Sequence, residues 1–361
     1  PASQPVYSEL TRLGATGTLI NNGVKIKTAF CGPCFGAGDT PANNSFSLRH
    51  VTRNFPNREG SDPTKGQLAL VALADARTIA ATSYNGGILA SAQDYPEECF
   101  IVPKYDFNNL YSKHVYFGFK NPLSDTAVEF GPSIKDWPKM QPLGANLLLK
   151  IATVIYDEVT TTDELIPSGE TASYRSDPYK ISEYTLIRKD PEYRRRAKEI
   201  RRHEQDRLEH YENADPFIQD ILGELNKTHI YNGKNTELGS VVYAKRPGDG
   251  SAREYAASCQ RVLGGVANIC LEYATKRYRS NCINWGIIPF KLNVVPEYFR
   301  PESYIFIPNI RNKIENGEHN FQAFYIGDSG IISLNLTIDD LTTQERDILL
   351  AGSLINYYQM N

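Results

Sequence analysis

Apolar and polar positions repeat with two different periods along this chain, and the period sets the element expected at each place. A short helical pattern on Glu9, Leu10 and Leu13 leads through Gly14 to the alternating run Gly23-Val24-Lys25-Ile26-Lys27-Thr28-Ala29-Phe30, which predicts a strand. Between Gln67 and Ala81, alanines at 69, 72, 76 and 80 fall at helical spacing and predict a buried helix. Further on, strands are expected at Leu147 to Tyr156, Ser240 to Ala244, Val266 to Glu272 and Tyr304 to Ile307. A hairpin-like pair follows at Phe321 to Ile326 and Gly330 to Ile338. Two Ser/Thr-x-x-Glu capping boxes mark helix starts. One places a helix from Ser251, and Thr342-Thr343-Gln344-Glu345 opens a last helix through Leu349, Leu350 and Leu354. Strands alternating with helices give the expected fold class, α/β layers in both of two domains.

Two domains are also what 361 residues imply. The proline-rich stretch from Phe130 to Leu143 reads as an ordered linker. Domains are accordingly assigned to residues 1–129 and 147–361, with a linker at 130–146. The segment from Asp190 to Glu212 carries Arg194, Arg195, Arg196, Lys198, Arg201, Arg202 and Arg207 among glutamates. Mixed charge with little apolar stripe predicts a solvated helix laced by i,i+4 pairs, an insertion at about 190–212. An RNA-contacting binding module is the alternative reading of this run, but Tyr193 and Tyr211 only flank it and leave it without interleaved aromatics.

Composition narrows the function classes. The net charge of −3, with 41% hydrophobic and 22% charged residues, gives no global reason to expect nucleic acid or an anionic membrane. No apolar run has transmembrane length, and the start, Pro1-Ala2-Ser3-Gln4, has neither a signal-peptide pattern nor an initiator Met. The expected location is cytoplasmic and reducing. Of six cysteines, Cys31 and Cys34 form a close pair, while Cys99, Cys259, Cys270 and Cys282 are scattered, as small buried hydrophobes are.

Cys31-Gly32-Pro33-Cys34 fits three chemistries. A structural zinc site needs a second close pair of ligands, and none is evident. A thioredoxin-like redox loop matches the tetrapeptide, but Phe35-Gly36-Ala37-Gly38 is a poor helix start. An iron–sulfur site uses thiolates and leaves an iron open to substrate. It is favoured by Thr52-Arg53-Asn54-Phe55-Pro56-Asn57-Arg58, where two arginine forks suited to carboxylates flank a turn.

These two blocks together resemble the aconitase family's Cys-Gly-Pro-Cys and Arg-Asn-Phe-x-Gly-Arg segments, with Asn57 at the family's glycine. Thr161-Thr162-Asp163-Glu164 through Tyr174-Arg175 resembles Thr-Thr-Asp-His…Phe-Arg, with Glu164 in place of His. Gly248-Asp249-Gly250-Ser251-Ala252-Arg253-Glu254 resembles Gly-Glu-Gly-Ser-Ser-Arg-Glu, with Ala252 at the second serine. Val262-Leu263-Gly264-Gly265 and Asn281 through Pro289 resemble two later family segments, all in the family's order. The resemblance implies the C-terminal half of an aconitase-like hydro-lyase, an α/β cluster-binding domain joined by a linker to an α/β swivel domain.

It also implies roles. Cys31 and Cys34 would hold a [4Fe–4S] cluster, while Arg53, Asn54, Arg58 and Arg175 would bind the carboxylates of a hydroxy-di- or tricarboxylic acid. Ser251 would be the base, supported by Arg253, with Asp163 beside it. The family's third thiolate comes from a segment well upstream of Cys-Gly-Pro-Cys, and no cysteine precedes Cys31 here. The missing N-terminal domains or a second chain would complete the site. This chain alone is expected to retain no cluster and to have no hydro-lyase activity.

Overall fold

The computed structural model describes residues 1–29, 41–50, 61, 63–99, 108–111, 113–114, 118–127, 129–167, 169–209, 216–227, 236–328 and 330–360. Two compact units result, Pro1–Ala127 and Val128–Asn361.

The first unit opens with α1 (Gln4–Arg12) and α2 (Ala15–Asn21), separated by Gly14 at φ +74°, a left-handed turn that glycine takes without a Cβ penalty. Residues 24–28, expected as a strand, form none. Val24 is exposed and no strand among the described residues receives the alternation, which by itself does not make a sheet. The expected helix over 67–81 is also corrected. Its first half is β2 (Ala69–Leu73), paired in parallel with β1 (Ser45–Arg49), a strand the pattern had not revealed. Only then does α3 (Ala76–Tyr84) begin, where Asp75 accepts from the backbone N–H groups of Arg77 and Thr78. The one-turn helix α4 (Asn108–Tyr111) follows.

In the second unit the elements are β3 (Asn146–Ile155), β4 (Thr160–Thr161), α5 (Thr162–Leu165), α6 (Pro178–Ser182), α7 (Tyr193–Glu209), α8 (Pro216–Lys227), β5 (Thr236–Ala244), β6 (Pro247–Asp249), α9 (Arg253–Val262), β7 (Gly265–Cys270), α10 (Lys276–Asn284), β8 (Ile288–Lys291), β9 (Tyr304–Ile307), α11 (Ile310–Glu315), β10 (Asn320–Gly327), β11 (Gly330–Thr337), α12 (Thr343–Ala351) and α13 (Leu354–Met360). The α/β layers close on themselves: seven strands form a barrel in the order β10-β11-β8-β7-β5-β3-β9, and β9 pairs back with β10. Strands β3, β5, β7 and β8 run parallel, and the others join antiparallel. Leu147, Leu149, Ile151, Tyr243, Phe290 and Phe321 fill the interior. The parallel strands β5 and β7 are buried at every residue, because α7, α9 and α10 cover their outer face. Along β10 the inward positions Phe321, Ala323 and Tyr325 alternate with more open ones, as in a sheet with one wet face.

The charged segment is not the solvated helix its composition suggests. Tyr193, Ala197, Ile200 and His203 make a narrow buried stripe on α7, at intervals of four, three and three, against the barrel. Its cations are largely committed within the unit. Buried Lys150 of β3 meets Glu199 at 3.0 Å and Glu302 at 2.5 Å. A bulge in β3 between Ile151 and Thr153 turns out the Ala152 carbonyl, which accepts from Arg196 at 2.8 Å, while Asp190 holds both Arg196 (2.7 Å) and Thr153 (2.6 Å). Among the described residues, no helix is long and apolar enough to cross a membrane.

Two outcomes are expected. Arg196→Leu leaves a buried carbonyl and Asp190 without their donor and should cost about 2 kcal/mol in chemical denaturation, where a solvated arginine would cost well under about 0.5 kcal/mol. Glu237, buried at the start of β5, has its carboxyl pushed up to about 7 by burial, opposed by the charge of Arg261 and raised further by Glu204. Its folded-state value lies above the unfolded one, so the folded chain binds the extra proton. Stability from this group is therefore present at low pH and is lost as pH rises between the unfolded value near 4.5 and about 7. Glu237→Gln should stabilise the protein at pH 8, on the order of 2 kcal/mol, and should lose that advantage towards pH 5 in a paired melting series.

Candidate active site

The parallel strands β3 and β5 deliver their carboxyl ends to one place, where α/β proteins position ligands. Beyond them β4 and β6 pair in parallel, with Thr160 opposite Pro247 and Thr161 opposite Asp249. This short pairing brings the Thr161-Thr162-Asp163 segment beside the Gly248-to-Ala252 turn. Gly248, at φ +99°, lies flat on the Tyr278 ring, and a Cβ there would come within 2.2 Å of the ring. Gly250, at φ +110°, would place one 2.6 Å from the Thr162 hydroxyl. Both glycines are thus required for shape and for conformation.

Thr162 is buried, and its hydroxyl accepts the Ala252 backbone N–H at 3.2 Å, tying the turn that carries Ser251 to the other segment. Thr162 had not been singled out as functional. Its place within the Thr-Thr-Asp segment was the available signal, but the partner lies 90 residues away. Thr161 and Glu164 form a capping box for α5, through Thr161 N–H to Glu164 (2.7 Å) and Glu164 N–H to the Thr161 hydroxyl (3.2 Å). Burial alone would raise the Glu164 carboxyl. The Thr161 donors and the Lys189 ammonium outweigh it and hold the group below its usual range. Glu164 is therefore occupied by its own helix start.

Asp163 is exposed at the rim, 3.5 Å from Arg188, which also pairs with Glu170. Arg175 ends a short turn at Ala172–Tyr174, with its guanidinium 5.6 Å from the Tyr255 ring in the first turn of α9. Ser251 is exposed just before α9, and the capping box expected there does not form. The helix starts at Arg253 with Ala252 as its N-cap, because Glu254 turns instead to α10 and accepts from Asn281 and the Trp285 indole N–H. Asp163, Arg175, Ser251 and Arg253 all lie on segments packed around the α9 N-terminus, where the helix dipole favours negative charge.

Cys31, Cys34, Arg53, Asn54 and Arg58 lie outside the described residues. Among the described residues no group of His, Cys, Asp and Glu is placed to hold a metal ion. The thiols of Cys259, Cys270 and Cys282 are buried, and burial pushes those of Cys259 and Cys282 up to about 12. Such thiols do not fit a cluster, which binds thiolates.

Replacing Thr162 by Val, equal in shape, would leave the Ala252 N–H without its acceptor. The expected result is a loss of about 1–2 kcal/mol and faster amide exchange at Ala252, and unchanged exchange would show that this bond does not hold the turn.

The family model of the aconitase family (aconitate hydratase) matches residues 1–81. The chain is 23% identical to the mitochondrial homocitrate dehydratase of Saccharomyces cerevisiae over a 392-residue alignment that covers 99% of this chain and 46% of that protein. It is also 23% identical to a putative mitochondrial aconitate hydratase of Emericella nidulans, covering 99% of this chain and 45% of that protein. The chain thus spans about half the length of the curated relatives it matches. A solved 3-isopropylmalate dehydratase from Methanocaldococcus jannaschii is 18% identical, with a TM-score of 0.35, covering 60% of this chain and 94% of that one. The family match at the amino-terminal end, together with relatives aligned along nearly the whole chain, supports membership of the aconitase superfamily.

Proposed function

We propose that this chain is the C-terminal half of an aconitase-type hydro-lyase that dehydrates and rehydrates a hydroxy-di- or tricarboxylic acid. The observation that carries the reading is the Ser251 turn, braced by Thr162 and open at the α9 N-terminus, with Arg175 next to the same helix turn. Ser251 removes the C–H proton next to a carboxylate. Its free acidity is low, and the helix N-terminus together with Arg253 favours the alkoxide. Arg175 holds a substrate carboxylate, and Arg53, Asn54 and Arg58 hold others. Asp163 stands at the rim as a further polar contact.

A [4Fe–4S] cluster held by Cys31, Cys34 and a third thiolate from the remainder of the enzyme would supply Lewis acidity towards the leaving hydroxyl. Among the described residues of the first unit the parallel sheet has two strands, and Phe46 and Leu70, opposite each other in register, are 62% and 58% exposed, which supports a cover from outside those residues. Parallel strands are ordinarily covered on both faces.

The test uses the complete enzyme, reconstituted anaerobically and assayed against citrate-, homocitrate- and methylcitrate-like acids. Turnover of one of these is expected. Ser251→Ala should lower kcat by about 10²–10⁴-fold at little-changed KM, and Arg175→Gln should mainly raise KM. Absence of turnover across the panel, or full activity of Ser251→Ala, would overturn the reading. Insulin reduction by Cys31 and Cys34 without hydro-lyase turnover would point to thiol–disulfide exchange instead.

A further inference from the structure

At the opposite end of α9 from Ser251 lies a cavity of about 410 Å³, walled by the residues before β3, the start of β5, α7 and the α9 C-terminus. Its size is that of a small-molecule site. Arg201 of α7 and Arg261 of α9 both line it, with Lys139 at the wall formed by the residues before β3.

Neither guanidinium has a carboxylate within ion-pair distance among the described residues. Arg201 donates to the Val262 carbonyl. Arg261 donates to the carbonyls of Gly352, Gly265 and Gln141 at 3.2, 3.4 and 3.5 Å, all long for a charged donor. Burial lowers the pKa of both; at Arg261 the charges of Glu237 and Glu204 oppose that lowering and the charge of Arg201 adds to it. The two cations are half-buried and face one another, so an anion between them would offset their repulsion.

Three acids, Glu204, Glu209 and Glu237, also line the cavity, and the first and last of them hold other partners. Glu204 pairs with Arg207 at 2.7 Å and accepts the Leu238 N–H at 3.0 Å. Glu237 takes the Gly144 N–H at 2.9 Å. The geometry is also built around the arginine. Gly264, at φ +99°, leaves room for the stem of Arg201, since a Cβ there would sit 2.8 Å from Arg201 Cβ.

We propose that this cavity binds the oxyanion group, phosphate or carboxylate, of a small metabolite between Arg201 and Arg261, at a site separate from the one around Ser251. The site depends on the second unit alone and is independent of the hydro-lyase reading. Glu237 gives it a pH dependence. The groups facing this carboxyl are Arg261 from α9, Glu204 and Arg207 from α7, and the Gly144 N–H. Loss of its proton as pH rises through about 7 adds a negative charge beside Arg261 and weakens anion binding.

The test is calorimetric titration of this chain with inorganic phosphate and, separately, succinate, which distinguishes the two oxyanion sources. Sulfate, whose charge is constant, serves for a series from pH 6 to pH 8. Saturable binding with a Kd at or below about 1 mM is expected for phosphate or succinate, with sulfate weaker at pH 8 than at pH 6. Arg201→Gln should weaken binding at least about tenfold, and so should the exposed Lys139→Glu if Arg201→Gln fails to fold. Arg175→Gln should leave binding unchanged. No saturable binding at about 10 mM, binding unaffected by a folded variant at Arg201 or Lys139, or binding lost in Arg175→Gln would overturn the proposal.

Discussion

The parallel strands β3, β5, β7 and β8 must be covered on both faces, and the second unit is arranged around that requirement. Inside, the cover is the barrel's own closure, where Leu147, Tyr243, Phe290 and Phe321 share one cluster and Phe290 packs edge-on against Phe321. Outside, it is supplied by α7, α9 and α10, whose small residues Ala197, Ala256 and Ala257 allow close approach. A helix laid over a parallel sheet between two of its strands must begin near a carboxyl end. The α9 N-terminus therefore falls where β4 and β6 meet, and Ser251 stands at that point as a result of packing. The other end of the same helix brings Arg261 against Arg201, so one packed element frames two polar regions.

Within the candidate site, several carboxylates that could serve chemistry serve shape. Glu164 is spent on the Thr161 cap and Lys189, and Glu254 on Asn281 and Trp285. Each forms charge-assisted hydrogen bonds that rigidify a turn. Ser251, Asp163 and Arg175 remain exposed to solvent around the same helix start.

Legibility in the sequence depended on whether the controlling contact was local. Thr342 and Glu345 are three residues apart, and their capping box forms as the spacing predicts. The hairpin of β10 and β11 and the strand β9 were equally readable, because alternation and a tight turn act over a few residues. Ser251 and Glu254 have the same spacing as Thr342 and Glu345, yet no box forms, because Trp285 and Asn281 compete for the carboxylate from another helix. The alanines of 69–80 suit a helix, but pairing with β1 and the Asp75 cap divide them. On α7 a stripe of four residues among many charges looks solvated until Lys150 and the Ala152 carbonyl are seen to need partners.

By itself the sequence determined the α/β class, most strands of the second unit, and the resemblance to the aconitase family, through motifs in one order from Cys31 to Pro289. Those features rest on periodicity and on short segments whose chemistry is local. Only the tertiary structure decided that the strands close into a barrel, that Thr162 braces the Ser251 turn, and that two arginines share a cavity. Each of these depends on pairs 60 to 163 residues apart, such as Arg201 with Val262 and Asn146 with Asn309, and no short-range pattern encodes such pairs.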